Sequence, residues 1–85
     1  MSEVKVGIVT HYFGKVGVAI VKATDSTLSV GDSIHIKGAH TDHTQVVESM
    51  QSEHAEITRL ELGGDAGIKV GCHAHEHDVV YKVTA

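Results

Sequence analysis

The densest chemistry in this sequence lies in Cys72-His73-Ala74-His75-Glu76-His77-Asp78. On an extended backbone alternate side chains share a side, so His73, His75 and His77 would project together. Three imidazoles on one face suit Zn²⁺, Ni²⁺ or Cu²⁺. The same run reads first as a solvated, variable turn between two strands, with metal binding the less favoured reading. Cys72 beside His73 suggests a thiol–imidazole pair. Neighbours on a strand face opposite ways, however, so these two would need a loop to meet.

A second cluster is His11-Tyr12-Phe13, with Lys15 two residues on. It holds two of the three aromatics, and the combination suits stacking on bases or anchoring a protein partner. The alternative is that Tyr12 and Phe13 plug one end of a core. His40 and His43 flank Asp42 in a polar stretch read as a solvated loop, and His35 reads as an outward strand residue. A phosphate-cradling loop needs Gly-x-x-x-x-Gly-Lys-Ser/Thr. The one Gly-Lys pair, Gly14-Lys15, has Val9 and Val16 in the other required places. No GTP binding by the chain itself is expected, and no cofactor is implied. Without a paired acid, base and orienting group, an enzyme is not expected either.

These residues need positioning, and the surrounding pattern is that of strands. Val30-Gly31-Asp32-Ser33-Ile34-His35-Ile36 reads as a turn feeding a strand. Gly31 can take a positive φ, Asp32 can bond back to the turn, and Ile34 and Ile36 share one face. Gly64-Asp65-Ala66-Gly67-Ile68-Lys69-Val70-Gly71 repeats the arrangement, and His77-Asp78-Val79-Val80-Tyr81-Lys82-Val83 is a looser third copy. Val4, Val6 and Ile8 alternate in a strand from Glu3 to Thr10, and a second strand runs from Lys15 to Ala23. Ala39 to Thr44 reads as a loop. Thr44 to Ser52 reads as a strand in which Glu48 falls awkwardly beside Val46 and Met50. Ile57 to Leu62 reads as a strand closed by Gly63 and Gly64.

The chain has 85 residues, room for a single domain over 1–85 with a modest core. Its one cysteine rules out an internal disulfide and points to a reducing, cytoplasmic location. No stretch approaches the roughly 18 apolar residues of a membrane helix, so no membrane association is expected. Seven cations against eleven anions give a net charge of −4, which offers no basic stripe for nucleic acid. There are eight histidines, so mild acid would swing that charge towards positive. Proline and asparagine are absent, leaving turns to Gly, Asp, Ser and Thr.

In order along the chain, Val30-Gly31-Asp32-Ser33-Ile34, Val46-Val47-Glu48-Ser49-Met50-Gln51 and Gly63-Gly64-Asp65-Ala66-Gly67-Ile68 resemble domain 2 of translational GTPases such as elongation factor Tu. His11 to Ala19, Thr41 to Gln45 and Ser49-Met50-Gln51 resemble small translation elongation factor-like proteins. A similar module ends some U32-family peptidases. The resemblance covers residues 4 to 83. It implies an all-β fold, a closed six- or seven-stranded antiparallel Greek-key barrel. It also implies a non-catalytic translation-type binding module that meets RNA, the ribosome or a translation protein. The alternatives are a protein–protein adaptor linked to a U32-like peptidase, or weak metal binding through His73, His75 and His77. The acidic charge favours the adaptor.

Overall fold

The computed structural model describes residues 2–84, and among these the chain forms ten β-strands and no helix. They are β1 (Ser2–Phe13), β2 (Val18–Ala23), β3 (Leu28–Ser29), β4 (Ser33–Lys37) and β5 (Asp42–Val46). After them come β6 (Met50–Ser52), β7 (Ala55–Ile57), β8 (Arg59–Leu60), β9 (Asp65–Lys69) and β10 (Val79–Thr84). No helix is long and apolar enough to cross a membrane.

Eight strands make one antiparallel sheet in the order β5-β4-β10-β1-β2-β9-β6-β7, and β3 pairs separately with β8. The sheet curls around one apolar cluster that includes Val6, Val9, Val21, Ile34, Ile36, Met50, Ile68 and Val80. β1 is the spine. Its first part pairs with β10, beginning with Ser2 opposite Thr84, and its second part pairs with β2. Register shifts between Lys5 and Gly7 and between Val9 and His11 let one strand serve two neighbours at different angles. These bulges also overturn the simple alternation expected for β1. Val6 and Val9 are fully buried, whereas Val4 is 44% exposed.

The first Gly-Asp turn behaves as its chemistry requires. Gly31 has φ +96°, and the Ser29 N–H donates to Asp32 Oδ2 at 2.9 Å. Ile34 and Ile36 are fully buried. The expected strand from Thr44 to Ser52 is broken, however, because continuous alternation would bring Glu48 inward with Met50. The chain leaves strand geometry over 47–49, which buries Val47 and Met50 and leaves Val46 and Glu48 exposed. The polar stretch read as a loop instead supplies the first residues of β5, Asp42 to Thr44. Glu53 and His54, at φ +52° and +65°, form the tight β6–β7 turn.

A closed six- or seven-stranded barrel is also not what forms. Among the described residues the ladders end at β5 and β7, so the sheet keeps two margins. β6, with three residues, pairs with β7 on one side and reaches only Gly67 and Ile68 of β9 on the other. The rest of that edge, from Lys69 to Gly71, meets β5 through the Gln45 side chain and not through a ladder.

On the outer face His35 sits between two carboxylates. Its Nε2 lies 2.5 Å from Asp42 Oδ1 and its Nδ1 lies 2.8 Å from Glu3 Oε2. The hydrogen bond to Asp42, and then that to Glu3, raise the imidazole above its ordinary value near 6.5. The same bond to His35 lowers Asp42. The raised histidine gives stability that is complete below about pH 6.5 and is lost as pH rises through its folded value. The lowered aspartate gives stability present above its ordinary 3.8 and lost as pH falls through its folded value. The midpoint of thermal unfolding should therefore fall on either side of a maximum between those limits. His35→Gln should flatten the alkaline arm. An alkaline arm unchanged in that variant would show that His35 is not its source.

Candidate functional site

Two stretches marked in the sequence meet at one end of the molecule. The bulge between Val9 and His11 resets the phase of β1, so Tyr12 packs against the core while His11 and Phe13 face outward. The His11 and Phe13 rings lie 4.4 Å apart, edge to face, and Phe13 is 46% exposed. Lys15 and the 61% exposed Val16 sit in the turn over 14–17, which closes when the Gly17 N–H donates to the Phe13 carbonyl at 2.9 Å.

The histidine run crosses this end as an irregular loop held down by main-chain bonds. The His77 N–H donates to the Val9 carbonyl, and the Val9 N–H donates to the Asp78 carbonyl, both at 2.8 Å. Inside the loop the His75 N–H donates to Asp78 Oδ2 at 2.9 Å, and Asp78 is 4% exposed. Ala74 is buried beneath. The rings then form a ladder. Tyr12 and His73 have centroids 4.7 Å apart, His73 and His75 4.8 Å, and His75 and His40 6.0 Å. The Thr41 hydroxyl lies 3.1 Å from His75 Nδ1, and His11 Nδ1 lies 3.6 Å from Glu76 Oε1.

His73 and His75 thus come together, but His77 does not complete the expected set. Its φ of +74° breaks the alternation that would have aligned it with them. Among the described residues no three His, Cys, Asp or Glu side chains are arranged to hold a metal ion. His40, His75 and His77 instead line a cleft of about 300 Å³. Burial, and then the Asp78 carboxylate, push the Cys72 thiol upward, so at neutral pH it is a thiol and a poor nucleophile.

Sequence reasoning missed that His40 reaches this end from the β4–β5 turn, and that Asp78, read as part of the third turn-and-strand copy, holds the loop in place. The available signal was Gly38. A Cβ there would lie 1.9 Å from Asp78 Oδ1, so the glycine marks a close approach. The assembled end carries exposed Phe13 and Val16, neighbouring tilted imidazoles and the exposed Lys15 and Glu76. Such a surface suits contact with a protein.

No protein-family model matches the sequence. Over 80 residues, 93% of this chain, it is 32% identical to an uncharacterised protease of Methanocaldococcus jannaschii. The chain spans about a fifth of that protease, 19% of its length. Among solved structures it is similar to the C-terminal domain of a Geobacillus thermoleovorans protein described as a U32 peptidase. The TM-score is 0.85 at 22% identity, covering 93% of this chain and 91% of that one. The selenomethionine form of that domain gives 0.84, covering 89% and 95%. These findings overturn the translation and elongation-factor-like reading. The Gly31-Asp32 turn that helped suggest it performs generic turn chemistry, with Asp32 accepting from the Ser29 N–H. The chain carries the fold of a U32 peptidase C-terminal domain.

Proposed function

We propose that this protein is a non-catalytic docking module that works with a U32-like peptidase. The observation that carries this reading is the 32% identity running through 80 residues of the chain but only 19% of a protease. The fold likeness to a peptidase C-terminal domain supports it. Burial and the Asp78 carboxylate raise the Cys72 thiol, which makes this cysteine a poor nucleophile. Phe13, with its neighbours His11, Lys15 and Val16, supplies the contact face, because an exposed aromatic beside an apolar residue makes an anchor.

The test uses a purified U32 peptidase lacking its C-terminal domain, mixed with this protein. A complex should form in sedimentation velocity, and Phe13→Glu should weaken it about ten-fold or more. The protein alone should leave unfolded casein intact. Casein cleavage by the protein alone, or no complex at about 100 μM, would overturn the reading.

A further inference from the structure

In the main sheet β5 and the end of β9 face one another with no ladder between them. A crevice of about 470 Å³ separates them, lined by residues that include His43, Gln45, Val46, Lys69, Val70 and Gly71. One side chain bridges it. Gln45 Nε2 donates to the Lys69 carbonyl at 2.9 Å, and Gln45 Oε1 accepts the Gly71 N–H at 2.8 Å. His43 Nε2 lies 2.9 Å from the same oxygen.

Those two bonds are the pair that a residue of a parallel strand would make opposite Val70, to the carbonyl before it and the N–H after it. From β5 through β4, β10, β1 and β2 to β9, every neighbour is antiparallel, so β5 and β9 run in opposite directions. A guest strand parallel to the end of β9 would therefore be antiparallel to β5 and suit both walls. It would also lie in line with β6, which occupies the neighbouring part of the same β9 edge. Strands on either side of a guest stand roughly 9.6 Å apart, a gap that a glutamine side chain and one hydrogen bond can bridge. Apart from the charged Asp42 at its start, β5 carries no charged residue, proline or bulge to guard its edge.

We propose that this seam is a strand-addition site for an extended peptide segment of a partner protein, whose main chain displaces the Gln45 carboxamide from Lys69 and Gly71. The carboxamide is an internal stand-in for the guest peptide. Val46 and Val70 beside the gap favour apolar, β-branched residues in the guest, while main-chain bonds provide most of the recognition. The inference is independent of the peptidase reading, since strand addition requires only an extended main chain.

The protein has two glutamines and no asparagine, so its side-chain amide region in a nitrogen-15 correlation spectrum holds two pairs of peaks. Titration with a blocked, alternating valine–threonine hexapeptide should shift the Gln45 pair and the Gly71 and Thr44 amides, leaving the Gln51 pair in place. Gln45→Ala removes the internal competitor and should tighten binding about three-fold or more. Gln45→Met, of similar length, carries the same expectation if the alanine variant fails to fold. Unmoved Gln45 and Gly71 peaks at millimolar peptide, or shifts confined to the β7 edge, would overturn the proposal. So would shifts of these peaks with protein concentration alone, which would place a second copy in the seam.

Discussion

Gly7→Ala should destabilise the fold by on the order of 4 kcal/mol, read as a lower urea midpoint at unchanged slope. A Cβ at Gly7 would stand 1.7 Å from the Lys22 carbonyl oxygen and 3.1 Å from the Ala23 Cα. Both are backbone atoms, so no rotamer change relieves the overlap. Gly7 is paired on both sides, with Val80 of β10 and Ala23 of β2. β1 therefore cannot move away from one neighbour without pressing on the other. A loss of that size is comparable with the lower end of the whole stability of a domain this small. A loss below about 1 kcal/mol would show that the bulge absorbs a methyl group and that β1 is not so tightly gripped.

Gly38→Ala should cost about 2 kcal/mol, by a different route. Here the atoms in the way are Asp78 Oδ1 at 1.9 Å and Cγ at 2.6 Å. A carboxylate can usually swing aside, but this one is buried and holds the His75 N–H. Turning it would leave that N–H without its partner and loosen the loop that carries the imidazole ladder. Asp78→Ala should cost about 1–3 kcal/mol for the same lost bond. Combined, the two substitutions should cost clearly less than their sum, because the second removes the group the first collides with. Simple additivity would sink the proposed collision.

The strands that could be read from the sequence are those in which burial and alternation agree. Ile34 and Ile36 are the clear case, with a Gly-Asp turn ahead of them and two fully buried side chains as the outcome. β1 was harder because a bulge inserts a residue without changing composition, and the phase of Val4, Val6 and Ile8 depends on where it falls. β5 and β6 read as one strand because the cost of burying Glu48 is tertiary, and it is avoided by a break that no turn residue announces. The same limit applies to the site. His73 and His75 follow from spacing, while the place of His77 depends on one positive φ, and His40 arrives from a loop more than thirty positions away. Turn signatures also carry little ancestry. Gly-Asp turns solve the same problem wherever a small β domain needs a corner, which is how they suggested a translation factor in a chain that is similar in sequence to part of an uncharacterised protease and in fold to a U32 peptidase C-terminal domain.

Ser2 and Thr84 lie side by side, their hydroxyl oxygens 2.7 Å apart. A polypeptide running through this fold would leave it within a few ångströms of where it entered. Such a unit can be spliced into a surface loop of a larger enzyme without stretching the host backbone, and it would hang there as a pendant. Joining the two positions by a short glycine linker and reopening the chain between Glu53 and His54 should give a permutant that folds to the same sheet. It would also relieve the positive φ that two bulky residues adopt in that turn.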